Sequence, residues 1–404
     1  MTRITIERLG HHGDGIGDGP VFVARTLPGE VVEGDVVEGR MASPRILQPS
    51  PDRIKAPCAH YRTCGGCAIQ HVRTDFATAW KETVIRQALA AHGLETDFRT
   101  AHVSSLYSRR RAAFAGRRIK SGALVGFHAR ASHVVTSVPN CMILHPELTK
   151  ALPPLEDLVA RFGTRKEELV LSLTRAENGL DLAVTANRPL DDKQRTDLAQ
   201  WAGQTGFARL SWDGEVIIQA HAPVHRLGPA LVTPPPGAFL QATKDAEAAM
   251  QASVAEIADG AHNIADLFAG CGTFTLPLSE QSEVLAVEAA GGMLKALEAG
   301  WRGTERLRPI RHVARDLFRH PLKADELAAF DCVVIDPPRA GAEAQAHELA
   351  ASTVPSVAAI SCNPVSFARD AKLLVAGGYR LEWVRMVDQF RFSPHVELVA
   401  RFNR

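Results

Sequence analysis

The chain of 404 residues is 46% apolar and 23% charged and has a formal net charge of +1, a composition typical of globular proteins and unlike that of disordered chains. Its length favours two or three domains over one. It has no apolar run of the ~18 to 20 residues needed to span a bilayer and no apolar N-terminal segment typical of a signal peptide, so we expect a cytoplasmic protein without a membrane partner.

Short apolar runs alternate with turn residues in the first 50 residues. Residues 20–26 (PVFVART) and 30–40 (EVVEGDVVEGR) predict small strands, and residues 9–19 (LGHHGDGIGDG) predict a glycine-rich loop between strands. This pattern favours a compact five-stranded β-barrel of the OB type, which could bind a ligand or serve only for packing. A proline-rich linker follows at residues 49–57.

Three of the seven cysteines, Cys58, Cys64 and Cys67, lie within ten positions. In a reducing compartment such a group indicates a metal site or catalysis rather than disulfides. The spacing lacks the second close pair of a zinc site, and Cys141 is the one other cysteine before residue 233. Three clustered thiolates and a remote fourth suit a [4Fe–4S] cluster, with zinc as the alternative. We assign Cys271 and Cys332 to packing.

The middle of the chain predicts a mixed α+β domain over residues 51–232. Residues 74–93 have apolar positions at helical spacing and end in glycine, so we expect an amphipathic helix, which could pack on the C-terminal domain. Residues 168–187 contain two apolar runs around Asn-Gly and predict a β-hairpin. The run TPPPG at 233–237 marks the next boundary.

Positive charge is concentrated within residues 51–140, which carry fourteen Lys and Arg against five Asp and Glu. Residues 107–120 (YSRRRAAFAGRRIK) combine six of these cations with Tyr107 and Phe114, a mixture suited to phosphate contacts and base stacking. A solvated surface is the alternative. The candidate RNA-binding residues are Arg109, Arg110, Arg111, Arg117, Arg118 and Lys120.

Strands alternate with helix-like stretches from residue 233 to the end, which predicts a doubly wound α/β sheet. Ligands of such sheets bind outside the carboxyl ends of the strands. There, Gly270 and Gly272 would let the backbone approach a ligand, and Glu288 follows Asp266 by 22 residues, a spacing typical of an acid that binds a ribose. The run is not GxGxxG, which favours S-adenosylmethionine over NAD.

Two further strand ends carry reactive groups. Cys362 follows the predicted strand 356–361, and Glu397 lies in the strand-like run 395–399. Carbon 5 of a pyrimidine becomes nucleophilic when a thiolate adds to carbon 6, and a base must later remove the carbon 5 proton. Cys362 is the candidate nucleophile and Glu397 the candidate base, whereas a buried cysteine and a solvent-facing glutamate are the structural alternatives.

The chain resembles the class I S-adenosylmethionine-dependent RNA 5-methyluridine methyltransferases, and its first 50 residues resemble the TRAM domain of their ribosomal-RNA members. The matching runs are FLQAT (239–243), DLFAGCGTFTLPL (266–278), DPPRAG (336–341), ISCNPVSFARD (360–370) and HVELV (395–399). Thr243 and Ala269 depart from the usual family pattern, in which Asn and Cys stand at those positions.

The resemblance implies an α/β protein with a Rossmann-like methyltransferase domain at 233–404, an OB-type (TRAM) barrel at 1–50 and a mixed α+β central domain at 51–232. It implies that Cys362 is the nucleophile, that Glu397 is the base, and that the four cysteines named above bind a [4Fe–4S] cluster. The cofactor-binding set is Gln241, Phe268, Gly270, Gly272, Glu288, Asp316 and Asp336.

The expected substrate is RNA, with 23S rRNA as first choice and tRNA as second, and we expect a monomer. A cytosine-5 RNA methyltransferase is a rival, but that family typically has a cysteine after the third-strand proline, where this chain has Pro338 and Arg339. A non-catalytic RNA-binding assembly factor is the rival from another class. The presence of both Cys362 and Glu397 argues against it.

Overall fold

A computed structural model describes residues 1–404. The N-terminal residues form one sheet of six short strands in the order β5-β3-β2-β1-β4-β6. Its small core contains Ile4, Ile6, Val23, Val32 and Met41. The edge strands β5 and β6 are not paired with each other, so the closed five-stranded barrel is not seen in the strand pairing. The strands are β1 (Thr2–Leu9), β2 (Gly15–Gly17), β3 (Val21–Val23), β4 (Val31–Gly34), β5 (Arg40–Met41) and β6 (Arg45–Gln48).

A second sheet of seven strands has the order β10-β9-β8-β11-β12-β13-β14. The predicted hairpin is present, because two of its strands pair antiparallel with Ala176 opposite Gly179. The strands are β8 (Arg111–Ile119), β9 (Gly122–His128), β10 (Val135–Thr136), β11 (Leu169–Ala176), β12 (Gly179–Thr185), β13 (Arg209–Trp212) and β14 (Glu215–Gln219), accompanied by α2 (Pro146–Lys150), α3 (Leu152–Phe162) and α4 (Asp192–Thr205).

The largest sheet has eight strands in the order β19-β18-β17-β20-β21-β23-β22-β7. Strands β17 to β21 are parallel neighbours, and β23 runs antiparallel between β21 and β22. Its inner strands are apolar runs, as expected for strands covered on both faces. Seven of the eight strands are β17 (Asn263–Leu267), β18 (Glu283–Glu288), the edge strand β19 (Ile310–Ala314), β20 (Cys332–Ile335), β21 (Ser356–Ser361), β22 (Arg380–Asp388) and β23 (Glu397–Asn403).

Helices cover both faces of this sheet, and a two-stranded ribbon, β15 (His225–Leu227) and β16 (Ala230–Val232), precedes it. None of the helices combines the length and apolar character needed to cross a bilayer. The helices are α5 (Lys244–Ile257), α6 (Thr275–Leu278), α7 (Gly291–Arg302), α8 (Ala324–Leu327), α9 (Glu343–Ala351) and α10 (Pro364–Ala376).

A segment before residue 111 completes the large sheet. The predicted helix at 74–93 forms as α1 (Thr74–Ala90), and β7 (Asp97–Val103) pairs parallel with β22 at the sheet edge. Ile85 and Leu89 of α1 are fully buried in the core cluster that contains Val357 and Phe402. Part of the segment predicted as the central domain therefore belongs to the same core as the C-terminal residues.

Candidate active site

The strand order reverses direction between β17 and β20, so the crevice of this sheet lies beyond their carboxyl ends. The loops that follow these strands begin at Phe268 and Asp336, and the Asp336 N–H donates to the Leu267 carbonyl at 3.2 Å. The seven predicted cofactor-binding residues include groups at the ends of four adjacent strands. The topology therefore assembles residues that lie up to 95 positions apart in the sequence.

The glycine loop after β17 turns sharply. Phe268, Gly270 and Gly272 all have positive φ, at 63°, 57° and 96°. A Cβ atom on Gly272 would stand 2.9 Å from a Leu276 methyl, so a side chain is excluded there. Glu288 closes the loop, because its carboxylate accepts the Gly270 N–H at 3.0 Å. This loop presents backbone and an acid to the crevice, as a nucleoside site requires.

Asp316, which follows β19, lies near the same loop. Its carboxylate accepts the Phe318 N–H at 3.0 Å, and the Phe318 ring packs against Phe268 with centroids 5.5 Å apart. Phe318 is 48% exposed and carries no motif signal in the sequence. An exposed aromatic pair beside an acid is suited to a purine ring and a ribose.

Gln241 lies at the opposite side of the crevice and is buried. Its side-chain oxygen accepts from Gln389 Nε2 at 2.7 Å. The departure at Thr243 has a local reason, since this residue is the N-cap of α5 and its hydroxyl accepts the Ala246 N–H at 3.3 Å. Ala269 is buried against the core that includes Leu276 and Leu297.

Cys362 and Glu397 are neighbours across two paired strands. In the antiparallel pair β21–β23, Ser361 lies opposite Leu398. The same register continued by one residue places Cys362 opposite Glu397, and cross-strand Cβ atoms are about 4.5 to 5.5 Å apart. Both side chains line one cavity of ≈ 700 Å³, a volume within the usual range for ligand sites. Glu397 is 5% exposed, so the solvent-facing alternative is wrong.

The loops around Cys362 are tied to each other. Asn363 caps α10 by accepting the Val365 N–H at 3.1 Å, and its Nδ2 donates to the Arg339 carbonyl at 2.9 Å. The Ser366 hydroxyl donates to the same carbonyl at 3.1 Å. These bonds join the Asp-Pro-Pro-Arg and Ser-Cys-Asn-Pro runs into one rigid corner.

The site disfavours two negative charges. Burial raises the pKa of the Cys362 thiol to about 11, with further contributions from Glu397 and Asp336, while Arg339 opposes the rise. Burial and the Asp336 charge raise the pKa of Glu397 to about 8, against the opposing effects of Gln389 and Arg339. Asp336 keeps some accessible surface, yet the surrounding protein raises its pKa to about 7. Near neutral pH these groups therefore retain protons that they can exchange with a substrate.

The same cavity reaches the predicted cluster cysteines. Cys64, Cys67 and Cys141 line it together with Cys362 and Glu397, whereas Cys58 does not. Burial raises the pKa values of the three thiols that line it, that of Cys67 to about 12, and neighbouring cysteines add to each rise. No group of three or more His, Cys, Asp or Glu side chains is arranged to hold a metal ion in this conformation. The donor chemistry fits a thiolate-bound cluster, but the thiols are not gathered into a ligand set.

The cavity walls include residues that the sequence did not indicate. Aromatic and basic groups surround the catalytic pair, as expected for a site that admits a nucleobase and its phosphates. Phe239 is 59% exposed and lies under the Arg111 guanidinium, 4.9 Å from the ring centroid. The cavity residues absent from the predicted site are Gly65, Gly66, Ala68, Phe127, Ile143, Leu144, Phe239, Arg339, Phe390, Arg391, Ser393, Pro394 and His395.

The six candidate RNA-binding cations divide into three groups. Arg110 is 2% exposed and pairs with buried Glu247 at 2.6 Å, so its guanidinium is not accessible to a phosphate. Arg109 lines the cavity and Arg111 lies at its rim beside Phe239. The exposed cations Arg117, Arg118 and Lys120 lie toward the other end of β8, roughly 20 Å along the strand from Arg111.

Comparisons with known proteins extend over the whole chain. A family model described as tRNA (Uracil-5-)-methyltransferase matches residues 233–402. An uncharacterized RNA methyltransferase of Brucella suis is 42% identical over 401 residues, covering 98% of this chain and 97% of the relative. The 23S rRNA (uracil(1939)-C(5))-methyltransferase RlmD of Pectobacterium atrosepticum is 30% identical over 424 residues, covering 99% and 93%.

A solved structure has the same fold along its whole length. The crystal structure of Pyrococcus abyssi tRNA (uracil-54, C5)-methyltransferase in complex with S-adenosyl-L-homocysteine superposes with a TM-score of 0.77. The match covers 99% of each chain at 21% identity. The two chains therefore share one fold along their length.

The electrostatic coupling between Cys362 and Glu397 predicts how fast the thiol reacts. At pH 9 the Glu397 carboxylate, whose pKa is about 8, is mostly ionised and holds the thiol pKa up. Glu397→Gln removes that charge, so the thiol pKa falls and more thiolate is present. We expect iodoacetamide to alkylate Cys362 roughly three- to tenfold faster in the variant, measured by peptide mass spectrometry. Glu283→Gln, at the opposite end of the sheet, is the control. Equal rates in wild type and Glu397→Gln would contradict the coupling.

Proposed function

This chain belongs to the family of S-adenosylmethionine-dependent RNA (uracil-5-)-methyltransferases, and we propose that it methylates carbon 5 of one uridine in 23S rRNA through a covalent bond between Cys362 and the uracil. The pairing of β21 with β23 carries the proposal. It puts a thiol and a buried carboxylate side by side in a cavity large enough for a nucleotide, as this reaction requires.

Cys362 reacts as a thiolate, which forms when its thiol proton passes to water. Its sulfur forms a bond to carbon 6 of the uracil, and the electrons of the carbon 5–carbon 6 double bond move toward oxygen 4. Carbon 5 thereby becomes nucleophilic and takes the methyl group that S-adenosylmethionine supplies. Arg339, which lines the cavity, offsets the negative charge that the thiolate brings to the site.

Glu397 completes the reaction as general base. Its carboxylate removes the carbon 5 proton, the carbon–hydrogen electrons restore the double bond, and the Cys362–carbon 6 bond breaks to return the thiolate. Addition to the uracil removes the thiolate charge, so Glu397 can be ionised at this stage without a charged neighbour at Cys362. A carboxylate whose pKa is about 8 is a stronger base than an ordinary glutamate.

The cofactor-side groups hold S-adenosylmethionine in the crevice between β17 and β20. Glu288 is placed for the ribose hydroxyls, and Phe268 and Asp316 are placed for the adenine side. Gln241 and Asp336 complete the proposed cofactor-binding set. Gly270 and Gly272 permit the close approach of the backbone.

Ribosomal RNA is the first choice of substrate because a full-length relative with that printed activity is 30% identical to this chain. The N-terminal sheet, interpreted as a TRAM module, and the four cysteines support the same choice. tRNA is the alternative, since it occurs in the names of the family model and the solved structure. In either RNA the uridine must leave its stack to reach Cys362, so an unpaired or loop position is expected.

The module boundaries remain proposals at 1–50, 51–232 and 233–404, and the enzyme is proposed to be a cytoplasmic monomer. Residues of the N-terminal sheet lie close to the cavity. A Cβ on Gly13 would stand 3.4 Å from Ala68 and 3.9 Å from Pro394, both of which line it. The N-terminal module is therefore suited to contact RNA that enters the cavity.

A [4Fe–4S] cluster held by Cys58, Cys64, Cys67 and Cys141 forms the second part of the proposal. Thiolates are the required ligands. The raised pKa values keep these thiols protonated when no metal is bound, and metal binding displaces the protons. When bound, the cluster would join the 58–67 segment to Cys141 and so stiffen the cavity wall.

The substrate and both catalytic roles are tested together. Wild type with tritiated S-adenosylmethionine is expected to form 5-methyluridine in 23S rRNA from a deletion strain and not in tRNA from the same strain. Cys362→Ala should lose methylation and any covalent RNA complex while still binding the cofactor. Glu397→Gln should still add and methylate but release slowly, so a methylated protein–RNA adduct accumulates on denaturing gels.

Each failure of that experiment has its own meaning. Methylation of tRNA alone would overturn the rRNA assignment. Methyl transfer by Cys362→Ala, or normal turnover by Glu397→Gln, would overturn the roles of nucleophile and base. Glu283→Gln, which changes an exposed acid far from the cavity, should behave as wild type.

The cluster predicts a coloured protein with four iron and four sulfide ions per chain after anaerobic purification. Cys64→Ala should lose the iron, the visible absorbance and part of the thermal stability. Cys271→Ala, which removes a buried thiol outside the proposed ligand set, should keep all the iron. Stoichiometric zinc without iron in the wild type would contradict the cluster.

The cavity-rim arginines are expected to set RNA affinity. Arg109→Ala combined with Arg111→Ala should weaken binding of a 23S rRNA fragment and reduce the salt slope by about 0.7 to 0.9 for each lost phosphate contact. Arg302→Ala, an exposed change on α7, is the control. A triple alanine variant at Arg117, Arg118 and Lys120 tests the distant group separately. If the Arg109/Arg111 double variant and the triple variant both keep the wild-type RNA affinity and salt slope, all five cations belong only to a solvated surface.

A further inference from the structure

Gln389 is a buried polar residue with no role in the reaction as described so far. It follows the last residue of β22 and is 1% exposed. Its Oε1 accepts the Ala242 N–H at 2.6 Å, and its Nε2 donates to Gln241 Oε1 at 2.7 Å. A main-chain N–H can only donate, so the orientation of this amide is fixed and Nε2 is its donor side.

The donor side of Gln389 also faces Glu397. Val387 pairs with Glu397 across β22 and β23, and Gln389 is two residues further along the chain. The Gln389 amide lies near enough to the Glu397 carboxylate to lower its pKa against the effect of burial. One amide therefore binds a cofactor-side glutamine with one hydrogen and has a second hydrogen available on the side of the general base.

The backbone around Gln389 is held by a buried ion pair. Lys81 Nζ lies 2.7 Å from Asp388 Oδ1 and donates to the Phe390 carbonyl at 3.2 Å. Asp388 also accepts the Phe390 N–H through Oδ1 at 3.1 Å, and its carbonyl accepts the Ser104 N–H at 3.0 Å. Lys81 is fully buried. Both neighbours of Gln389 are thus anchored, which gives its side chain one position.

We propose that Gln389 is a positioning residue that couples the cofactor-side Gln241 to the general base Glu397 and holds the base toward carbon 5 during proton removal. The proposal rests on the proposed function. The Gln389 Nε2 group stabilises the ionised Glu397 carboxylate. This carboxylate acts only in the last step, the removal of the carbon 5 proton. Loss of this donor should therefore slow release of the methylated RNA while leaving addition and methyl transfer nearly intact. Because Gln241 loses its partner too, the KM for S-adenosylmethionine should rise.

Two substitutions separate the donor from the packing. Gln389→Met keeps a similar volume and removes every hydrogen bond. Gln389→Glu keeps the acceptor for Ala242 N–H and removes both donors. The matched control is Gln345→Met, because Gln345 is equally buried and bridges the Leu322 N–H and carbonyl at 2.9 and 3.0 Å, away from the site.

The measurement is single turnover of a 23S rRNA fragment with tritiated S-adenosylmethionine, followed on denaturing gels. A hydrogen bond to a charged group is worth about 10- to 100-fold in rate, so we expect both Gln389 variants to release RNA about 10- to 100-fold more slowly. The methylated adduct should accumulate in them and not in Gln345→Met. Thermal unfolding of each variant identifies any that does not fold.

The outcomes are distinguishable. A wild type that forms neither adduct nor 5-methyluridine refutes the proposed function itself. If the wild type works and a folded Gln389→Met has the same rates, the coupling alone is refuted. If Gln389→Met does not fold, wild-type rates in Gln389→Glu refute the coupling instead. Equal adduct accumulation in Gln345→Met assigns the effect to general loss of packing and also refutes it.

Discussion

The antiparallel return of β23 between β21 and β22 is the constraint on which the site depends. Parallel strands β20 and β21 both end at the crevice, where they deliver Asp336 and Cys362. Only a strand that runs the other way can begin there, and the first residue of β23 is Glu397. A slip of one residue in this pairing would turn Glu397 to the other face of the sheet and remove the base from the thiol.

This crowding of acidic groups determines the electrostatics of the cavity. Asp336, Cys362 and Glu397 all have raised pKa values, first because they are removed from water and then because of nearby acids: Asp266 acts on Asp336, and Asp336 acts on Cys362 and Glu397. Such groups titrate as a set, so the ionisation of one disfavours that of the next. Arg339 is the cation that opposes the rises at Cys362 and Glu397. A substrate that consumes the thiolate charge would therefore change the proton affinity of the remaining groups, which links the steps of the reaction to each other.

The cavity is assembled from parts of the chain that are distant in sequence. Three parts of the chain anchor the segment after β22. Lys81 of α1 pairs with Asp388, and Gln241 and Ala242 bond to Gln389. In the cysteine-rich loop, the N–H groups of Ala68 and Ile69 donate to the Phe392 carbonyl at 2.8 and 3.0 Å. Changes in the cysteine loop can therefore reach the segment that ends at Glu397. This arrangement explains why one cavity borders both the catalytic pair and three of the cluster cysteines.

The sequence by itself determined the elements that depend on local rules and short motifs. Apolar runs bounded by turn residues indicated β17, β18, β20, β21 and β23 of the large sheet but not β19, β22 or β7, and the amphipathic pattern at 74–93 indicated α1. Because ligands bind at the carboxyl ends of such strands, the residues around the crevice followed from these positions. Burial and pairing depend on contacts between distant residues and could not be read in the same way. Arg110 belongs to a basic run, yet only the tertiary structure buries it against Glu247. The addition of β7 to the large sheet, the register that joins Cys362 to Glu397, and the amide of Gln389 between Gln241 and Glu397 were likewise decided by tertiary packing, because each brings together groups that no local pattern connects.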